Sequence, residues 1–475
     1  MEEIIFNRTK IIATVGPACN TKDKLKELIL AGTDVFRLNF SHGSHEDHFK
    51  ILTYVRELNS ELGTTICILQ DLQGPKIRIE LVKKGTKIRQ GEKLIITTNE
   101  VEGDEHMVST SYKNLPFDVK IGNSILIDDG KIELRVDHVD GDEVHTTVIY
   151  GGELKSRKGI NLPNSQISAP SLTEKDLFDF EFSIKHDVEW IALSFVRQAS
   201  DITDLRARIN EAGKETLIIA KIEKPEAVDD IDNIIEASDG IMVARGDLGV
   251  EIKSEEVPMI QKEIVSKCRL AAKPVIIATQ MMESMIENPR PTRAETNDVA
   301  NAVMDGADTL MLSAETAAGE YPVAAVKSMV ETIKSVESKG DVFYKLYSQD
   351  TESDYFLNDS VMLMAARIAR NTNAKAIVGL TQRGYAAFKI SSFRPSASIF
   401  IFTSNKPFIN TMNLLWGVRG LYYNSSKSTD ETISDLDDLL KENGFVKKGD
   451  VTINLAAMPI NQPGRVNTLK LNQVS

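Results

Sequence analysis

Eight short apolar runs, each followed by an amphipathic stretch long enough for a helix, recur between Lys10 and about Ser338. No other feature restricts the fold of this chain as much. The runs are Ile11–Val15, Val35–Phe40, Ile66–Leu69, Trp190–Phe195, Leu217–Ile222, Ile241–Ala244, Val275–Thr279 and Thr309–Ser313. Runs that are apolar throughout read as parallel strands covered by helices, because such strands are buried on both faces. Eight strand–helix units are the number that closes a (β/α)8 TIM barrel, whose chemistry lies at the C-terminal ends of its strands. Here those ends carry polar clusters: Arg37 to His42, Gln70-Asp71, Ser194, Lys221-Ile222-Glu223, Arg245-Gly246-Asp247, Thr279-Gln280 and Ser313-Ala314-Glu315.

One long interruption follows the third run, from about Gly74 to Pro170. Its text changes to short alternating strands broken by Asp128-Asp129-Gly130 and Asp140-Gly141-Asp142, which are hairpin signals. Past about Lys345, strand-like runs at Ala374–Leu380, Ser398–Thr403, Val418–Tyr422 and Asp450–Leu455 alternate with helical patterns such as Val361–Arg370 and Ile433–Glu442. A chain of 475 residues divides into roughly three domains on size alone. The expected organisation is a catalytic barrel from 1–73 and 168–344, an inserted β-barrel lid from 74–167, and an open, mostly parallel α/β domain from 345–475.

A formal net charge of -13 disfavours nucleic acid as a partner, since duplex binding draws on clustered Lys and Arg. Cys19, Cys67 and Cys268 are odd in number and far apart, so they read as reduced thiols rather than a disulfide framework or a zinc site. No apolar run approaches the ~18 to 20 residues of a membrane span. The segment Met1-Glu2-Glu3-Ile4-Ile5-Phe6 lacks the basic-then-apolar layout of a secretory signal, so the expected location is the cytoplasm.

Within Phe36 to Ser41, strand periodicity puts Arg37, Asn39 and Ser41 on one face and apolar residues on the other; the plain alternative is a strand edge meeting solvent. Lys221 and Glu223 share a strand face, and Asp247 ends the next strand. Two carboxylates on adjacent strand ends supply part of an octahedral Mg2+ shell, with water and substrate oxygens completing it. A structural salt-bridge network is the competing account. Gly246 allows a ligand close to backbone or serves only as a turn. His42 and His45 lack partners at metal-ligand spacing, which leaves a local hydrogen bond or a nucleotide contact. The proline-bearing tract Glu283–Thr296 reads as a rigid, arginine-bearing loop.

The ordered set of motifs resembles the pyruvate kinase family over nearly the whole chain. They are Ala13 to Ala18, Arg37 to Gly43, Gly74-Pro75-Lys76-Ile77-Arg78, Lys221-Ile222-Glu223, Ala244 to Gly249, Ala278 to Met281 and Met311 to Thr316. The resemblance implies phosphoryl transfer from phosphoenolpyruvate to ADP, giving pyruvate and ATP. It implies Mg2+ (or Mn2+ in its place) on Glu223 and Asp247, and catalytic roles for Lys221, Arg37, Arg78 and Thr279. Arg37, Lys221, Gly246, Asp247 and Thr279 would bind substrate. Asn39, His42, Arg78 and Lys158 would contact nucleotide, Lys158 arriving from the lid. A homotetramer is implied as well, with no nucleic acid or membrane partner.

Familiar members of the family bind K+ through residues matching Asn39, Ser41, Asp71 and the next position, a threonine. Here that position is Leu72, which offers no side-chain oxygen, and Lys76 stands where those relatives carry Glu. This resembles the K+-independent branch, with the Lys76 ammonium in the role of the ion. The loop that holds a sugar-phosphate effector in many relatives matches Leu380–Ala387, where Thr381 and Arg383 are the groups on offer. Two other readings stay open from the residues alone: a Mg2+-dependent lyase acting on pyruvate-like enolates, and a catalytically silent phospholigand sensor.

Overall fold

A computed structural model describes residues 5–163, 165, 167–344, 351–424, 428–458 and 465–475. Among them, eight strands close into a parallel barrel: β1 (Lys10–Thr14), β2 (Val35–Asn39), β3 (Cys67–Asp71), β4 (Trp190–Leu193), β5 (Leu217–Ile222), β6 (Gly240–Ala244), β7 (Val275–Ala278) and β8 (Thr309–Leu312). Neighbours pair in the order β1-β8-β7-β6-β5-β4-β3-β2, and β2 closes the ring on β1. All eight runs read from the sequence are therefore barrel strands.

Strand parity sorts the side chains into two cores. Ile11, Ala13, Ile68, Ile191, Leu193, Ile218 and Ala220 face outward and pack under the helices. Ile12, Val35, Cys67, Leu69, Trp190, Ala192, Ile219, Met242, Ile276 and Met311 fill the barrel interior. Trp190, fully buried, is the largest of these and donates its indole N–H to the Thr411 carbonyl at 3.1 Å. Burying about 200 Å² of indole contributes about 5 kcal/mol at the usual area coefficient.

The covering helices start where the sequence supplies caps. Ser44 and Asp47 form a capping box for the helix His45–Leu62, which buries Ile51, Leu52, Val55 and Leu58 on one face. Helix Glu174–His186 begins in the same way, at Thr173 and Asp176.

The segment between β3 and β4 forms its own core around Ile79, Leu94, Ile96, Ile125, Leu134 and Val148. Its ladders make a six-stranded sheet and a two-stranded ribbon, with isolated bridges at Arg78–Gly159, Ile79–Thr110 and Val82–Gly103.

The C-terminal region is a five-stranded sheet in the order Val418–Tyr422, Ser398–Thr403, Ala376–Leu380, Val451–Ala456, Thr468–Gln473. The first four strands are parallel, and the last is antiparallel. This fifth strand was not expected from the sequence, because TLKLNQ is half exposed and carries little apolar signal. In the loop matched to an effector site, the Thr381 hydroxyl accepts the Gly384 N–H at 3.0 Å and Arg383 is exposed.

The C-terminal region plugs the barrel floor. Leu414 joins the interior core, and its carbonyl accepts from the Thr309 hydroxyl at 3.0 Å. Arg394, 2% exposed, reaches Asp308 at 2.9 Å and the Gly306 carbonyl at 2.8 Å.

Candidate active site

The parity that fills the interior also delivers the polar residues. Arg37 and Asn39 continue the inward face of Val35, Asp71 continues Cys67 and Leu69, and Lys221 and Glu223 continue Ile219. They form the top layer of the barrel at the C-terminal ends of the strands.

These residues form one connected ion network. Asp71 accepts from Arg37 Nε at 2.6 Å through one oxygen and from Lys221 Nζ at 3.1 Å through the other. Lys221 also reaches Glu223 at 2.9 Å and the Ser194 hydroxyl at 2.7 Å. Ser194 in turn donates to the Leu72 carbonyl at 2.7 Å. Glu223 takes the Phe195 N–H at 2.8 Å, and Arg37 adds a hydrogen bond to the Thr14 hydroxyl at 3.1 Å.

The electrostatics follow from burial and these neighbours. Desolvation alone would raise the Asp71 carboxyl, but Lys221 and Arg37 outweigh it and hold it below the usual carboxylate value. Desolvation would lower the Lys221 ammonium, yet Asp71 and Glu223 hold it above its ordinary value, so it is firmly charged. Glu223 is raised, first by burial and further by the like charge of Asp247, although Lys221 opposes both. Two carboxylates that repel each other across a shared space suit a divalent cation. No group of three or more His, Cys, Asp or Glu that could hold a metal ion is found among the described residues.

Across the rim, Thr279 and Gln280 stand in the left-handed region, at φ 68° and 56°. A β-branched residue there is strained, and such strain is kept where surrounding contacts enforce it. The enforcing contacts are visible. Gly246 N–H donates to Thr279 Oγ1 at 2.7 Å, and Arg245 donates to the Thr279 carbonyl at 2.8 Å while gripping both oxygens of Asp298 at 2.7 Å. A Cβ at Gly246 would sit 3.2 Å from Thr279 Oγ1, so close approach is the reason for glycine here.

Asp298 was missed in the sequence because the tract Glu283–Thr296 was read as loop. The structure corrects this: a 3-10 turn spans Glu283–Ile286, and a helix runs Arg293–Asp305 from a Thr292/Glu295 capping box. The prolines lie before the helix, and Thr-x-x-Glu was the signal that marks its start. Ser194, visible only as a polar strand end, carried no sequence sign of its contact with Lys221.

A cavity of about 650 Å³ opens beside this network, lined by Arg37, Asn39, His42, Gly16, Pro17 and Ser313 among others. Asn39 and His42 thus share one space, and Gly16 and Pro17 join them from the motif that follows β1. Desolvation, then the charges of Arg78, Arg37 and Lys76, lower the His42 imidazole. The Asn39 side chain accepts the Ser41 N–H at 3.1 Å. Arg78 lies outside the cavity lining. Lys158 pairs with Asp128 inside the inserted domain at 2.8 Å. His45 hydrogen-bonds Asp179 at 2.8 Å and stacks on Phe178, a local structural role.

Fold and rim together define a TIM-barrel enzyme that gathers paired cations and carboxylates at the C-terminal ends of its strands. Residues 6–326 match the family model "Pyruvate kinase, barrel domain", and residues 359–472 match "Pyruvate kinase, alpha/beta domain". Pyruvate kinase of Staphylococcus epidermidis is 43% identical over 99% of this chain and 81% of its own length; that of Geobacillus stearothermophilus is 43% identical over 98% and 80%. The crystal structure of a pyruvate kinase from Cryptosporidium parvum superposes with a TM-score of 0.91 at 37% identity, covering 99% of this chain and 96% of that one. The chain belongs to the pyruvate kinase family and is a phosphotransferase, transferring the phosphoryl group of phosphoenolpyruvate to ADP. The lyase and silent-sensor readings fall with that assignment.

Proposed function

We propose that transfer is Mg2+-dependent and K+-independent, with Glu223 and Asp247 holding the divalent ion and Lys76 standing in for the monovalent one. The observation that carries this reading is the Arg37–Asp71–Lys221–Glu223 network, which fixes two cations and two buried carboxylates around one space. Lys221, kept charged and aimed by Asp71, Glu223 and Ser194, stabilises charge on the phosphoryl group in transit. Arg37 and Arg78 add positive charge, and Thr279 with Gly246 faces the substrate carbons. Mg2+ (or Mn2+), when bound, draws negative charge off the phosphoryl and carboxylate oxygens. Everything else in this account is positioning and fixed electrostatics, the usual means of catalysing phosphoryl transfer. Asn39, His42, Arg78 and Lys158 contact the nucleotide, and Lys158 exchanges Asp128 for phosphate when the inserted domain closes.

Support for K+ independence comes from Leu72, 1% exposed in the apolar core, where a ligating oxygen would be needed. It also comes from Lys76, whose charge is felt at His42 together with those of Arg37 and Arg78. Asn39, Ser41 and Asp71 remain as the other equivalents of a monovalent site, but Asp71 is already paired with two cations. In buffers whose only monovalent cation is bulky and organic, full activity is expected with phosphoenolpyruvate, ADP and Mg2+. A rise of about tenfold, on the order of 1.4 kcal/mol, on adding K+ would overturn the idea.

The same reading takes 1–73 with 168–344 as the catalytic unit, 74–167 as the lid and 345–475 as the C-terminal domain. A cytoplasmic homotetramer completes it. No helix among the described residues is long and apolar enough to cross a membrane.

A further inference from the structure

The inserted domain meets the barrel through a buried charge. Asn161, at the end of the short strand Ile160–Asn161, donates from Nδ2 to Glu251 Oε1 at 2.9 Å. The same oxygen takes the Lys224 ammonium at 2.8 Å. The side chains of Lys224 and Glu251 are 5% and 1% exposed, and Glu251 Oε2 is buried with no hydrogen-bond partner among the described residues. A buried, half-satisfied ion pair resists displacement, because moving either charge away strands the other in a low-dielectric place.

The three residues belong to three separate pieces of the machinery. Lys224 directly follows Glu223. Glu251 ends the seven-residue helix Arg245–Glu251, whose first turn carries Gly246 and Asp247. Asn161 continues the segment that carries Lys158. The inserted domain also comes close to the same helix at Gly130, where an added Cβ would lie 3.9 Å from Val250 Cγ1; Gly130 is two residues past the Asp128 that holds Lys158 at 2.8 Å. Both approaches of the inserted domain thus fall at the end of the helix opposite Asp247.

We infer that Glu251 is a positioning residue that couples the inserted domain to both metal-holding carboxylates. A shift of the lid pulls on Asn161, and Glu251 passes it along the helix to Asp247 and through Lys224 to Glu223. A single stiff helix of about 10 Å at 1.5 Å per residue carries the first branch, and two adjacent residues carry the second. This rests on the reading above, in which Glu223 and Asp247 hold Mg2+.

Asn161→Ala removes the lid's half of the contact and leaves the buried pair intact. Hydrogen–deuterium exchange on the full chain is expected to quicken in Arg245–Glu251 as well as in the inserted domain. The Mg2+ concentration for half-maximal activity is expected to rise about eightfold, the middle of the range for couplings of this kind, with turnover at saturating Mg2+ within about twofold of the parent. Asn161→Gln keeps an amide donor and is expected to restore most of both effects, which also separates lost coupling from a damaged lid. Faster exchange confined to the inserted domain, an unmoved Mg2+ requirement, or a Gln variant no better than Ala would each overturn the coupling. Asp247→Asn tests the metal reading separately: an unchanged Mg2+ response there refutes that assignment, while the exchange pattern of Asn161→Ala still decides the mechanical link.

Discussion

Alanine at Lys221 is expected to lower turnover by about 10²- to 10³-fold, with a much smaller change in the KM for phosphoenolpyruvate. The ammonium is held by three partners, at 2.7 to 3.1 Å, and burial makes each contact count for more than it would in water. Preorganisation of this kind costs nothing at the moment of reaction, so its loss falls on the transition state rather than on ground-state binding. Steady-state kinetics, with circular dichroism to confirm the fold, measures it; turnover within tenfold of the parent would remove Lys221 from the mechanism. The substitution has a second consequence. Asp71 is held below the usual carboxylate value, so in the parent its stabilising contribution is complete above the ordinary carboxylate range and fades as pH falls. Without Lys221, the buried Asp71 keeps Arg37 as its cationic partner, while the buried Glu223 loses the ammonium it is paired with. The variant is therefore expected to lose more stability at pH 7 than at pH 4, where protonation removes the unpaired charge.

The barrel was legible because its strands are apolar on both faces, a pattern that only covered parallel strands require. The inward register of Arg37, Asn39, Lys221 and Glu223 was legible for a related reason: period two holds through the polar end of each strand. Partners from distant segments were not. Nothing near Lys158 announced Asp128, whose Asp-Asp-Gly context served as a hairpin signal while the side chain holds the lysine; Asp128 and Asp129 both sit in the left-handed region, at φ 54° and 57°. Asp298 was hidden by prolines that end just before its helix begins. Lys224 and Glu251 carried no sequence sign of their pairing, and both are buried. Periodicity reports which face a side chain occupies, whereas its partner is decided by which loops the fold brings over it.

The largest expected effect on stability lies far from the rim, at Arg394. Its guanidinium reaches Asp308 at 2.9 Å, the Gly306 and Ser391 carbonyls at 2.8 and 3.0 Å, and covers the Trp416 ring at 5.0 Å. Asp308 follows the helix Arg293–Asp305 and precedes β8, and its other oxygen takes the Val275 N–H at 3.0 Å. One arginine therefore joins the C-terminal region to two adjacent barrel strands. Arg394→Met keeps most of the packing volume but strands a buried carboxylate, so a loss of about 3 to 5 kcal/mol is expected. Because the lost contacts are those between barrel and C-terminal region, unfolding is expected to split into two steps. The chain's two tryptophans stand one on each side of this junction, Trp190 inside the barrel and Trp416 beneath Arg394, so urea titration followed by fluorescence sees both. Adding Asp308→Asn to Arg394→Met removes the uncompensated charge and is expected to recover at least half of the loss, since the two sites are in direct contact and their effects do not add. A single transition with a loss under about 1 kcal/mol in Arg394→Met would place the ion pair among those that contribute nothing measurable. The barrel floor would then be held by contacts such as those of Trp190, Leu414 and Thr309, with the Asn413 amide on the Asp34 and Thr65 carbonyls.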